Sequence, residues 1–132
     1  TVAADSDIAG FEDLSGKDVA VKIGTQGAAY AESLKDEYGF NIVSFEDSPT
    51  MYQAVLGGQC VACFEDTPIM QASIQDNGLA LMVLENTANE GGDYGFAIFN
   101  TNNQELLDMF NAGLANIKAN GKYDEILAAY LG

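Results

Sequence analysis

Two short stretches of the sequence carry residues that could bind a charged ligand, and the first follows a predicted strand. Residues 19–23 form an apolar run typical of a buried β-strand, residues 24–27 a glycine-containing turn, and residues 28–34 the start of a helix. The first backbone N–H groups of a helix have no partner within it, and the helix dipole favours an anion beside them. The turn therefore predicts a place for a carboxylate, a phosphate or water.

The second stretch is the pair Glu65 and Asp66, which follows the predicted strand 60–64. In a parallel sheet the carboxyl ends of both strands meet at one edge, where ligands of open α/β sheets bind. Backbone N–H donors and Lys22 would then lie near the carboxylate of Asp66. Such an edge suits a ligand that carries both charges, and an amino acid is the simplest one.

The composition limits the classes of partner. The chain has 132 residues, 48% of them hydrophobic, which is enough for one domain with a core. Because 20 acidic residues stand against five lysines, for a net charge of −15, no nucleic acid and no anionic membrane is expected as a partner. No apolar run reaches the roughly 18 residues of a membrane span. Residues 1–5 do not resemble a signal peptide, so an export signal or anchor would lie outside this sequence.

Two residue types are absent from the sequence, and both absences constrain the chemistry. Without arginine, a bound anion must rely on backbone N–H groups, hydroxyls or a lysine. Without histidine, the chain lacks the commonest general base and the commonest metal ligand. Neither a cofactor nor a metal is expected. Cys60 and Cys63 lie in an apolar strand run, where residues three apart point to opposite faces, so two buried, unlinked thiols are expected.

The elements that must position these residues alternate along the chain. The apolar runs are typical of strands covered on both faces, and the alternation predicts an α/β fold with a parallel sheet and right-handed crossovers. Caps, prolines and glycines set the predicted bounds. The predicted strands are 18–23, 40–45, 60–64, 79–84 and 94–99, and the predicted helices are 25–37, 48–56, 66–76, one after residues 100–103, and 123–131.

Several motifs, in order along the chain, resemble the amino-acid-binding proteins of ABC transporters, the extracellular solute-binding proteins of family 3. The resemblance rests on FEDLSGK and VAVKIGTQG, on SPT with LGGQ, on FEDTP and YGFAI, and on the closing stretch that includes NGKYDEI. It implies the type II periplasmic-binding-protein fold, in which two α/β lobes enclose a cleft. The chain matches only the second lobe, a three-layer α/β/α unit with one antiparallel strand, and the C-terminal strand and helices that normally return to the first lobe. The family's carboxylate-binding arginine sits in the first lobe.

The resemblance also implies roles for single residues. Thr25 and the backbone N–H groups up to Gly27 match the family's carboxylate-binding turn, and Asp66 matches the acceptor of the ligand's α-ammonium group. Asp66 could instead be a helix cap, and an aspartate can serve both roles. Glu65 could face the ligand or solvent. Lys22 could touch the ligand's side chain or be a solvated charge, and Gln26 stands where the family often has a small residue. The predicted ligand-binding residues are Lys22, Gly24, Thr25, Gln26, Gly27, Glu65 and Asp66.

The resemblance divides the chain into residues 1–93, the second lobe, and residues 94–132, a crossover strand with the C-terminal helices. We expect the strand 94–99 to fold back antiparallel to residues 79–84, filling the place of the missing crossover strand. The alternative is a homodimer that exchanges these terminal segments.

The expected function is non-catalytic. The chain would be part of the substrate-binding component of an amino-acid ABC importer, binding a polar amino acid outside the cytoplasm and acting on the permease through the full-length protein. A sensor domain of a receptor or kinase with the same fold is the nearest alternative. A dehydratase-type enzyme has less support, because Glu65 and Asp66 lack a base or metal partner. A nucleotide-binding domain lacks both glycine-rich phosphate motifs.

Overall fold

The computed structural model describes residues 1–131, and the chain divides into two units, Thr1–Gly91 and a second that begins at Gly92. Strands and helices alternate in the first unit, as the apolar runs predict. Its elements are β1 (Val2–Ala3), a 3-10 turn (Phe11–Leu14), β2 (Asp18–Lys22), α1 (Gln26–Tyr38), β3 (Asn41–Phe45), α2 (Ser48–Leu56), β4 (Ala62–Phe64), α3 (Thr67–Asn77) and β5 (Leu81–Met82).

The five strands form one sheet in the order β3-β2-β4-β1-β5. Strand β2 pairs in parallel with β3 and with β4, and β1 pairs antiparallel with β4 and β5. The parallel pairs join strands that are linked through helices, as a crossover connection requires. The predicted class, an α/β unit with a mostly parallel sheet and one antiparallel strand, is confirmed.

The antiparallel strand is not the predicted one. Val2 lies between Ala62 and Met82 and is 0% exposed, so the N-terminal segment fills the place between β4 and β5. Residues 94–99 form no strand, and the prediction that they pair with residues 79–84 is wrong. An apolar run is not sufficient for a strand, because its backbone groups also need a neighbouring strand to pair with.

Both faces of the sheet are covered, which gives the three layers. Alternate residues of β2 point to opposite sides: Val19 and Val21 pack in one core cluster and Ala20 in the other. The first cluster also contains Ala31 of α1, and the second contains Met51 of α2 and Met70 of α3. One helix therefore covers one face and two helices cover the other.

The two cysteines are free and buried, as predicted. Their expected placement on opposite faces is wrong, because Cys60 and Cys63 belong to the same core cluster. Strand β4 begins only at Ala62, so the two-residue alternation does not extend back to Cys60. Burial raises the pKa of the Cys60 thiol, and burial raises that of Cys63 to about 11.

The second unit contains a 3-10 turn (Thr101–Asn103) and two helices, α4 (Gln104–Ala119) and α5 (Lys122–Leu131), where the sequence predicts them. The Asn100 side chain accepts a hydrogen bond from the Asn102 N–H. The Lys118 ammonium lies 5.0 Å from the centre of the Tyr123 ring. Within residues 1–131, no helix is both long enough and apolar enough to cross a membrane.

Candidate ligand-binding site

The turn between β2 and α1 is fixed by Thr25. Its backbone is extended, and its hydroxyl accepts a hydrogen bond from the Ala28 N–H at 3.2 Å, so Thr25 is the N-cap of α1. The same hydroxyl donates to the Lys22 carbonyl at 2.7 Å. Gly24 has a φ of 75°, a left-handed conformation that favours glycine. The start of α1 is therefore held against the end of β2 by one side chain and one turn.

Gly27 brings the start of α1 against the end of β4. A Cβ atom on this residue would lie 3.1 Å from the Phe64 carbonyl oxygen and 3.2 Å from its carbonyl carbon, tighter than nine in ten real Cβ contacts. Only glycine allows this approach without a shift of the backbone. The first turn of α1 and the residues that follow Phe64 therefore share one edge of the sheet, as the sequence predicts for Thr25 to Gly27 and for Glu65 and Asp66.

Glu65 lies inside a network of side chains from β2 and α2. The side chain is 4% exposed, and its Oε2 atom accepts hydrogen bonds from the Ser48 hydroxyl at 2.7 Å and the Tyr52 hydroxyl at 3.0 Å. The Lys22 ammonium is 3.5 Å from the same oxygen and donates to the Ser48 hydroxyl at 2.7 Å. Lys22 therefore forms an ion pair with Glu65 and is not the solvated charge that the sequence allowed as one alternative.

Asp66 occupies the N-cap position of α3, yet its side chain makes no capping hydrogen bond. Its backbone N–H donates to Glu65 Oε1 at 3.1 Å. Thr67 and Pro68 then open the helix, where proline is tolerated because the first N–H groups have no helical partner. Of the two roles that the sequence left open for the Asp66 carboxylate, capping is not used.

Helix α2 begins at Ser48, the first residue of the predicted helix 48–56. The N-cap is Asp47, whose carboxylate accepts from the Thr50 N–H at 2.8 Å, and Ser48 is the first helical residue. Hydrogen bonds from Thr50 lower the pKa of Asp47, with a smaller contribution from Lys22. Because Asp47 caps the helix, the Ser48 hydroxyl is available to join Lys22 and Glu65.

Sequence reasoning missed Ser48 and Tyr52 as members of this edge. Both lie on α2 four residues apart, so they share one face of the helix. That spacing was visible in the sequence, but nothing in it indicated that this face meets Glu65. Burial raises the pKa of the Tyr52 hydroxyl, which keeps it protonated and able to donate.

At the carboxyl ends of β2 and β4, the structure brings together backbone N–H donors at the start of α1, the exposed Gln26 and the half-buried Asp66. The same edge also carries Ile23, an apolar side chain that is 61% exposed at the end of β2. Among residues 1–131, no cluster of three or more histidine, cysteine, aspartate or glutamate side chains is arranged to hold a metal ion. Chemically, this arrangement can hold an anionic group and a cationic group by non-covalent contacts.

The chain is similar to a family of binding proteins over nearly its whole length. The model of the bacterial extracellular solute-binding proteins, family 3, matches residues 4–132. An arginine-binding periplasmic protein of Mannheimia haemolytica is 31% identical over 118 residues, which are 88% of this chain and 49% of that protein. The chain thus spans about half the length of this relative.

Two solved structures similar to this chain are a substrate-binding domain and an amino-acid-binding protein. The second substrate-binding domain of a Streptococcus pneumoniae protein assigned to amino acid ABC transport is 39% identical, with a TM-score of 0.68 over 99% of this chain and 59% of that one. An ancestral arginine-binding protein bound to arginine is 28% identical, with a TM-score of 0.75 over 99% of this chain and 58% of that one.

Proposed function

This chain belongs to the bacterial extracellular solute-binding proteins of family 3, and from that membership we propose that it binds a polar amino acid as part of the substrate-binding component of an ABC importer. The family and the two similar structures support amino-acid binding as the general activity. The relation to a domain assigned to amino acid ABC transport favours an importer over a sensor domain.

One observation carries the proposal: Gly27 lets the N-terminus of α1 reach the end of β4. We propose that the ligand's carboxylate accepts hydrogen bonds from backbone N–H groups of residues 24–27, where the helix dipole also favours negative charge. The ligand's α-ammonium group lies against the Asp66 carboxylate, two residues beyond Phe64. Thr25 holds the turn through its hydroxyl, and Gln26 borders the ligand's side chain.

The same residues favour binding over catalysis. A general acid or base must reach the reacting proton with a suitable pKa, and a nucleophile needs a base beside it. The carboxylate of Glu65 is enclosed by donors, and the sequence has no histidine that could act with Asp66. A protein that only holds its ligand needs neither group.

We propose that residues 1–93 form the second lobe of a two-lobed binding protein and supply one wall of the ligand cleft. A ligand that touches both lobes stabilises the closed form by its higher affinity for that form. The permease then recognises the closed protein. This activity takes place outside the cytoplasm, as the family's name indicates.

The second unit carries exposed apolar side chains on both of its helices. Leu106, Met109 and Phe110 of α4 are 51%, 66% and 39% exposed, and Tyr130 of α5 is 78% exposed. Exposed apolar side chains grouped on helices mark interaction surfaces. For the isolated chain we propose a homodimer in which these side chains are covered by a second copy.

An amide NMR titration of the chain with each of the twenty amino acids tests the ligand-binding proposal. We expect shifts at Gly24 to Gly27 and at Asp66 for one chemical class of amino acid. Asp66→Asn should abolish the response, whereas Asp76→Asn, which makes the same charge change on the exposed surface of α3, should preserve it. A response confined to other residues, or one that survives Asp66→Asn, would contradict the proposed site.

A further inference from the structure

The carboxylate of Glu65 is almost fully buried, whereas a group that contacts a ligand must be accessible to it. Its side chain is 4% exposed, and four donors point at its two oxygens. Oε2 faces the Ser48 hydroxyl at 2.7 Å, the Tyr52 hydroxyl at 3.0 Å and the Lys22 ammonium at 3.5 Å. Oε1 accepts from the Asp66 backbone N–H at 3.1 Å.

These four donors fill the acceptor sites of the Glu65 carboxylate. A carboxylate offers about four lone-pair sites on its two oxygens. A buried carboxylate is also stable only when it is paired and hydrogen-bonded, which is the situation of Glu65. A ligand's ammonium group would have to displace one of these donors to reach it.

The network fixes two residues of the proposed ligand edge, by which we mean residues 22–27 and Asp66 at the carboxyl ends of β2 and β4. Lys22 is held by the Ser48 hydroxyl at 2.7 Å, and its positive charge faces the Glu65 carboxylate. The backbone of Asp66 is held through its N–H by the other carboxylate oxygen. Because Lys22 ends β2, Ser48 begins α2 and Glu65 follows β4, one carboxylate ties three elements together.

We propose that Glu65 is a positioning residue: it holds Lys22 and the Asp66 backbone at the ligand edge, and it touches no ligand itself. By offsetting the charge of Lys22, Glu65 also prevents that ammonium from attracting a negatively charged side chain. The site therefore selects neutral over acidic amino acids. This selectivity rests on the proposed function, whereas the positioning role can be measured without a ligand.

The ligand-free test uses Glu65→Gln, which keeps the shape and removes the charge. We expect ¹H–¹⁵N spectra of the folded variant to show faster exchange or loss of the Lys22 ammonium signal and a displaced Asp66 amide signal. The matched control is Glu46→Gln, which makes the same charge change at an exposed glutamate just beyond β3. The control should leave both signals in place.

A second variant keeps the test decisive if Glu65→Gln does not fold. Ser48→Ala removes the hydroxyl that joins Lys22 to Glu65 but leaves both charges, so it should move the Lys22 signal in a folded protein. If the Lys22 and Asp66 signals are unchanged in folded Glu65→Gln, or the Lys22 signal is unchanged in Ser48→Ala, the positioning role is refuted.

The ligand test compares glutamine with glutamate, which differ in charge at nearly equal size. The parent chain should respond more strongly to glutamine at the amides of residues 24–27. In Glu65→Gln the preference should move toward glutamate by about fivefold, the size expected of a partly exposed ion pair, while Glu46→Gln should leave it unchanged.

Two other results have different meanings. If Glu65→Gln weakens both amino acids equally, the charge of Lys22 does not distinguish them and the proposed selectivity fails. If the parent chain responds to no amino acid at residues 24–27, the proposed function fails in this chain, and the Lys22 and Asp66 signals still decide the role of Glu65.

Discussion

The Lys22 ammonium lies 3.5 Å from Glu65 Oε2 across the carboxyl ends of two parallel strands, and the Ser48 hydroxyl bridges the two groups. The two residues are 43 positions apart in the chain, and the parallel pairing of β2 with β4 brings them to the same edge. Both side chains are mostly withdrawn from solvent, at 26% and 4% exposed. The ion pair therefore belongs to the framework of the proposed ligand edge.

The approach of α1 to β4 depends on Gly27. Gly27→Ala would place a methyl group 3.1 Å from the Phe64 carbonyl oxygen, so the facing backbone must move by a few tenths of an ångström. We expect a loss of about 1–3 kcal/mol in the free energy of unfolding, measured with urea, and a weaker amino-acid response. The control is Gly113→Ala in α4, where a Cβ meets nothing within 4 Å. That variant should gain roughly 0.5–1 kcal/mol, because alanine favours a helix. Equal effects of both changes would contradict the close approach.

The hydroxyl of Tyr52 stabilises the buried carboxylate of Glu65. Tyr52→Phe keeps the ring in the core and removes one donor at 3.0 Å. We expect it to lower the free energy of unfolding by about 1.5–3 kcal/mol, the value of a hydrogen bond to a charged group. Tyr30→Phe is the control, because the described contacts of Tyr30 with Phe11 and Phe64 are made by the ring. A cost of Tyr52→Phe no larger than that of the control would contradict this role.

The capping carboxylate of Asp47 makes the stability of the folded protein depend on pH. Its pKa is lowered in the folded protein, so the unfolded chain binds the proton more tightly. The stabilisation is therefore present above the ordinary pKa of 3.8 and is lost as the pH falls through the lower folded value. Asp47→Asn keeps a capping side chain without the titration. Urea midpoints should fall less steeply below pH 4 in this variant than in the parent; parallel curves would count against the assignment.

The thiols of Cys60 and Cys63 should be inert in the folded protein. The thiolate is the reactive form, and burial raises both pKa values, that of Cys63 to about 11. At pH 8 we expect no more than slow labelling by an aromatic disulfide reagent in buffer and rapid labelling of two thiols in urea. Rapid labelling of either thiol before unfolding would show that this part of the core is open.

Association through the second unit is measured by sedimentation. If the apolar side chains of α4 are covered by a second copy, the parent chain should sediment with the mass of two chains. Met109→Glu, at a position that is 66% exposed, should reduce the mass toward one chain. Asn111→Glu adds the same charge at another exposed position of α4 and should leave the mass unchanged. A parent mass equal to one chain rules out the homodimer.

The sequence alone determined most of the local structure of the first unit. Apolar runs located β2, β3 and β4, and glycine or a capping side chain located the ends of α1, because these signals act over a few residues. The sequence also brought Thr25 to Gly27 and Asp66 to one edge, because parallel strands joined through helices leave no other arrangement. The family resemblance followed from the same motifs.

Tertiary structure decided what depends on contacts between distant residues. Nothing local indicated that Val2 and Ala3 would pair with β4 and β5, or that residues 94–99 would form no strand, since strand pairing depends on segments distant in the chain. Likewise, the sequence presented Glu65 as a residue that could face ligand or solvent. Its burial between Ser48, Tyr52 and Lys22 depends on how α2 packs beside two strands, and only the folded chain fixes that packing.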